Sequence, residues 1–385
     1  MYMHRRMLLS QLGMISVATL ATPGVVAQSL VEDSKPAWPG YRRAIVADSL
    51  GGIGTNIDSE EFQPLTPSEV NDARLSGITL VNMTVNTVGS YANDYEKTIR
   101  YIAYWFKEIA AHPDICMHVL HAKDIAEAKR TGRLGVIYNF QDATPIGEDL
   151  SRVDTFLNFG VRNFQLTYNR RNLVGDGCLE PDNAGISKFG HEFIAKLNER
   201  RALVDLSHAG ERTTLEAIEA SKAPIAITHT GCAALVPNPR NKTDKELRGV
   251  ADKGGYVGIY LVPFFLRKPG MGQATAEDVI LHIEHAINVC GEDHVGIGTD
   301  GALSAIKITP QYTKEYVNEI KERRKLGISA PGEDPDIYPF VPDLNRVDRF
   351  ARIAELLSRR KHSDARIEKV LGGNFARLIQ DVWQD

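Results

Sequence analysis

The stretches Leu203-Val204-Asp205-Leu206-Ser207-His208 and Pro224-Ile225-Ala226-Ile227-Thr228-His229-Thr230 decide how this chain folds. Each is a short aliphatic run, apolar on successive positions rather than alternating, with a histidine at or near its end. Consecutive apolar residues mark a strand buried on both faces, as in a parallel sheet covered by helices. Residues 212–221 between them carry a helical pattern, so the unit reads strand, helix, strand.

Working outward, the same kind of run recurs at 44–48, 77–86, 134–141, 163–169, 256–262 and 294–300, eight in all with the two above. Helical patterns lie between them at 100–112, 151–159, 188–200, 243–253 and 276–289. Ser151 with Asp154, and Thr243 with Glu246, have the spacing that satisfies free amides at a helix start, while Gly160 and Gly254 can take the left-handed conformation that ends one. Strand then helix, repeated eight times, predicts a closed (β/α)8 barrel of the TIM type. The rival is an open doubly wound sheet, but no glycine-rich phosphate turn follows the first run and nothing divides the chain into halves.

The 385 residues suit one large domain, and 45 Lys and Arg against 49 Asp and Glu leave a net charge of −4 without long basic runs. That balance argues against a nucleic-acid partner. Residues 1–27 read as a signal peptide of the twin-arginine type: Arg5-Arg6, an apolar stretch over 7–20, then Val25-Val26-Ala27 as a cleavage site. The expectation is export to the periplasm and a mature barrel over 28–385, with no transmembrane span, since that stretch is interrupted and short of a spanning length. Residues 304–343 are polar and proline-rich toward their end and read as an excursion over one barrel face, followed by helix 346–359. Residues 364–371, before Gly372-Gly373-Asn374, read as a capped terminal helix. Cys116, Cys178, Cys232 and Cys290 are too scattered for a metal knuckle or a dense disulfide framework. A homodimer is compatible with this class of protein.

In such barrels the carboxyl ends of the strands share one mouth. Asp48, Gln141, Tyr168, His208, His229 and Asp300 stand at those ends. Two imidazoles from neighbouring strands can share a metal ion, although a lone strand-end histidine is commonly structural. Asp300 can manage the proton of an activated water or cap the loop that follows it. Arg240, after the sixth run, can grip a carboxylate with two parallel bonds or make a surface ion pair.

The motifs NFQLTYNRRN (163–172), SKFGHEFIAKLNERRALVDLSHAG (187–210), APIAITHTGCAAL (223–235), PNPRNKTDKELRGVADKGGYVGI (237–259), EDHVGIGTDG (292–301) and VLGGNFARL (370–378) together resemble the membrane dipeptidase family, the renal dipeptidase type of metallopeptidase. The resemblance runs from Ala44 to Leu378. It implies a barrel with two zinc ions that hydrolyses dipeptides. It also implies that His208 and His229 bind one zinc, Arg240 holds the substrate carboxylate and Asp300 is the catalytic aspartate.

The departures from the family pattern are specific. Leu50 and Gly52 stand where the first strand's metal-binding His-x-Asp pair belongs, and Gln141 stands in place of the bridging glutamate. A neutral amide cannot neutralise two dications, so one zinc ion or none is expected rather than two. Tyr168 replaces a histidine that stabilises the tetrahedral intermediate, and a phenol can still donate to an oxyanion. Gln141, Asp300 and Cys178 are the candidates for a third ligand beside His208 and His229, with Cys178 read first as a buried, unreactive thiol. The functional expectation is an exported dipeptidase-like hydrolase. The alternatives are an isomerase, a lyase or another amidohydrolase acting on an amino-acid derivative with Tyr168 and Asp300 as acid and base, or an inactive ligand-binding barrel.

Overall fold

The structure, a computed structural model, describes residues 38–54, 63–88, 94–325 and 331–383; the signal peptide expected at 1–27 lies outside them. Its strands are β1 (Ala47–Gly52), β2 (Leu80–Thr84), β3 (Cys116–His118), β4 (Leu134–Phe140), β5 (Val161–Gln165), β6 (Leu203–Asp205), β7 (Ala226–Thr230), β8 (Tyr256–Ile259), β9 (Val295–Ile297) and β10 (Gly301–Ala302). They run β10-β1-β2-β4-β5-β6-β7-β8-β9, each neighbouring pair parallel.

The two ends of that order are one stretch of chain. β9 pairs with β8, and after Gly298-Thr299-Asp300 the same segment pairs with β1 as β10. Asp300 N–H donates to Leu50 O at 2.8 Å and Leu303 N–H to Gly52 O at 2.7 Å, so the sheet closes on itself. With β9 and β10 counted as one stave, the barrel has the eight strands the runs predict. β3 is an addition: it pairs with Leu134–Val136 at the start of β4, where β5 has not yet joined. Its three residues are too few to register as a run.

Two apolar cores follow from the alternation of strand side chains. Outward-facing Val81, Val136, Phe164, Val204 and Val257 pack under the helices. Inside, Ala47, Leu80, Ile137, Leu203, Ala226 and Tyr256 fill the floor of the barrel, and Phe375, Leu378 and Ile379 of helix Asn374–Trp383 close it from below. With the floor sealed by hydrocarbon, polar side chains of the strands are confined to the upper interior and the mouth.

The helices between strands lie where the sequence places them, with further ones at Pro67–Leu75, Asp124–Thr131 and Pro263–Leu266, and Asn374–Trp383 follows the last strand. Thr243 and Glu246 form the expected capping box, and Gly160 and Gly254 take φ +84° and +74°. Ser151 does not cap: helix Ser151–Asn158 follows Leu150, and the Ser151 hydroxyl donates instead to Asp149 Oδ1 at 2.6 Å. The excursion over 304–343 contains helix Pro310–Lys325. It contacts the loops that follow β7 and β8, since Asn238 donates to Pro331 O at 3.1 Å and Gln273 to Phe340 O at 3.0 Å. Among the described residues all four cysteines are free, and no helix is long and apolar enough to cross a membrane.

Candidate active site

His229 lies within β7, where the register with β8 shifts between Ile227 and Thr230. In a regular strand Thr228 and His229 would point to opposite faces. The irregularity turns both toward the interior, and the Thr228 hydroxyl meets His229 Nδ1 at 3.0 Å. His208 lies just beyond β6. Its carbonyl accepts from Cys178 N–H at 2.8 Å, which pins it to the loop after β5. Gly177 permits that approach, because a Cβ there would sit 2.1 Å from Tyr168 O.

The two imidazoles meet Nε2 to Nε2 at 2.9 Å, with ring centroids 5.0 Å apart. Their other nitrogens fix the tautomers. His208 Nδ1 faces Asn169 Oδ1, an acceptor, at 2.7 Å. The Thr228 hydroxyl donates to Asp205 Oδ2 at 2.5 Å, so toward His229 Nδ1 it can only accept. Both rings therefore carry hydrogen on Nδ1 and present Nε2 lone pairs to each other. Such a contact is repulsive unless a proton or a metal cation lies between them. Burial, then the charges of Arg240 and Lys242, holds His229 well below the usual histidine range, which disfavours the proton.

Gln141, just past β4, places its amide 3.4 Å from His229 Nε2, and a half-turn of that amide would direct its oxygen there instead. Three neutral donors thus converge, a set that fits one cation of the zinc type. β1 offers no ligand: Leu50 and Gly52 have none to give, and Asp48 is engaged by Thr299 N–H at 2.8 Å and Thr299 Oγ1 at 2.6 Å. Burial pushes the Asp48 carboxyl up to about 7 against those bonds. Its role is to fasten β1 to the end of β9. Among the described residues no three His, Cys, Asp or Glu side chains gather as a metal site. Cys178 and Asp300 are accordingly not brought to the two imidazoles as a third ligand. The Cys178 thiol donates to Asn169 Oδ1 at 3.5 Å, on the Nδ1 side of His208, and burial raises its pKa.

Arg240 is 3% exposed. It donates through Nη1 to Ser207 O at 2.6 Å and lies 5.7 Å from the Tyr260 ring centroid, while its buried Nη2 has no hydrogen-bond partner. Asp300 is half-buried in a left-handed conformation, φ +53°, and its charge is felt at Tyr260. Tyr168, also half-buried, stacks on His208. A neighbouring cavity of about 330 Å³ is lined by Tyr95, Thr144, Arg152, Asn172 and Phe189 rather than by these groups. Asn172 on its wall donates to Asp142 Oδ1 at 2.9 Å, next in sequence to Gln141.

Sequence reasoning overlooked four residues here. Asn169 and Asp205 hold the histidines' tautomers as described. Tyr260 donates to Asn241 Oδ1 beside Arg240, and Lys242 is buried in an ion pair with Glu246 at 3.2 Å. Asp205 alone left a signal, an acid at the end of an otherwise apolar buried strand.

The sequence pattern of the membrane dipeptidases, peptidase family M19, matches residues 73–313. The chain belongs to the membrane dipeptidase family. An amidohydrolase of Pseudomonas aeruginosa of known structure is 32% identical to this member, with a TM-score of 0.75 over 90% of this chain and 98% of that one. An uncharacterized protein from the pqqA 5′ region of Klebsiella pneumoniae is 26% identical over 72% of this chain and 93% of its own length. An uncharacterized dipeptidase of Schizosaccharomyces pombe is 32% identical over 46% of this chain and 43% of its own. This membrane dipeptidase relative is thus a hydrolase of the M19 type, built on a barrel, in a family that depends on metal.

Proposed function

We propose that the chain is an exported, periplasmic hydrolase that cleaves a dipeptide or a related amide, using one zinc ion held by His208, His229 and Gln141. The observation that carries this reading is the pair of Nε2 lone pairs directed at one point beside a buried guanidinium with a spare donor. A zinc ion bound there would polarise water and the scissile carbonyl. Arg240 orients the substrate by gripping its carboxylate through Nη2. Tyr168 donates from its hydroxyl to the developing oxyanion. Asp300, whose charge is felt at Tyr260, takes the proton of the attacking water and returns it to the leaving amine.

The test is metal content together with turnover of a broad dipeptide panel by purified protein. Zinc near one equivalent, lost with activity in His229→Ala, is the expected result. Protein free of zinc that cleaves none of the panel even after zinc is added would remove the proposal.

A further inference from the structure

The donor set at the imidazoles is neutral, yet a carboxylate stands directly behind it. Asp205, at the end of β6, has no measurable exposure. It accepts four hydrogen bonds: to Oδ1 from Ser207 N–H at 3.1 Å, the Ser207 hydroxyl at 2.6 Å and Thr228 N–H at 3.0 Å, and to Oδ2 from the Thr228 hydroxyl at 2.5 Å. Two of these partners are backbone N–H groups, which can only donate, and with the two hydroxyls turned toward it they favour the carboxylate against the burial that raises its pKa. The one hydroxyl that meets Oδ2 also meets His229 Nδ1, at 3.0 Å. Ser207 completes the frame by accepting from His229 N–H at 3.1 Å.

We propose that Asp205 is a positioning residue that acts through Thr228: it keeps the Thr228 hydroxyl pointed away from His229, so that His229 holds its hydrogen on Nδ1 and offers Nε2 to a cation. This deepens the reading above and rests on it for the identity of the cation. A hydroxyl can donate once, and here the donation is committed to the carboxylate, so the oxygen can only accept from the ring. Carboxylates placed behind metal-binding histidines fix the tautomer and raise the basicity of the ligating nitrogen. Asp205 thereby places a carboxylate behind the neutral donors His208, His229 and Gln141.

The experiment has two arms on the full mature chain. Nitrogen NMR of histidine-labelled, metal-free protein reads the His229 tautomer, with His229→Gln supplying the assignment. Wild type is expected as the Nδ1–H form, and so is Thr228→Ser, which keeps the hydroxyl; Thr228→Val and Asp205→Asn are expected to shift toward Nε2–H. Zinc titration is the second arm. Thr228→Val and Asp205→Asn should weaken binding about 10- to 100-fold, whereas Thr228→Ser stays near wild type. An Nε2–H form in wild type overturns the inference without any variant. So do an unchanged tautomer and an unchanged zinc Kd in folded Thr228→Val, which keeps the test open even where Asp205→Asn does not fold. Wild type that binds no zinc would defeat the proposed function, while the tautomer arm still decides the role of Asp205.

Discussion

The phenol ring of Tyr168 lies over the imidazole of His208, with centroids 4.2 Å apart and planes 23° from parallel. The stack fixes the plane of a ring whose Nδ1 is tied to Asn169, so the ring and the hydroxyl of Tyr168 have separable roles. Tyr168→Phe keeps the stack and removes the donor. Its kcat should fall roughly 100-fold with KM little changed, in the range seen for loss of one oxyanion donor. Tyr168→Ala should lose zinc affinity as well, and steady-state kinetics beside a zinc titration separates the two.

Arg240 has one donor spent on Ser207 O and another left free. Losing a buried charged partner costs about 2 kcal/mol or more, which is about 30-fold in binding. Arg240→Ala should therefore raise KM for dipeptides by about that factor. Amidating the substrate's carboxyl group should hurt wild type and leave the variant unaffected. An equal penalty in both proteins would assign the carboxylate to another group.

His282, 1% exposed, accepts from Cys232 N–H at 2.9 Å and donates from Nε2 to Leu266 O at 3.1 Å, so it is folded as a neutral ring. Burial lowers its pKa from 6.5 to about 4. Below 6.5 the unfolded chain binds a proton that the folded chain refuses, so stability falls as pH drops from 6.5 toward 4. The slope due to this residue is about 1.4 kcal/mol per pH unit. Denaturant unfolding of wild type and His282→Gln should show their stability difference shifting against wild type by about 1.4 kcal/mol for each pH unit lost across that window.

Phe375 is fully buried against Tyr256, with centroids 5.1 Å apart, where the last helix stoppers the barrel. Phe375→Ala should cost about 3–5 kcal/mol by leaving a cavity in the floor. Zinc affinity should survive in the fraction that stays folded, because the site lies at the other end of the strands. Thermal unfolding with and without zinc measures both quantities.

By itself the sequence determined the barrel. Apolar runs on successive residues can be buried only between two helical layers, and that constraint is local enough to read in single segments such as Leu203–Asp205. It also set His208 and His229 at two neighbouring strands and, from the motif order, gave the family, whereas Asp48, read as a strand end, is the second residue of β1. What only the tertiary structure decided is how those ends interact. The bulge in β7 that turns His229 and its neighbour Thr228 the same way has no signature in a string of residues. The contacts that set the tautomers reach along the chain, from His208 to Asn169, 39 positions away, and from Thr228, beside His229, to Asp205, 23 positions away. Side-chain direction and hydrogen placement depend on the closure of the whole sheet, so they are settled only when β10 returns to β1.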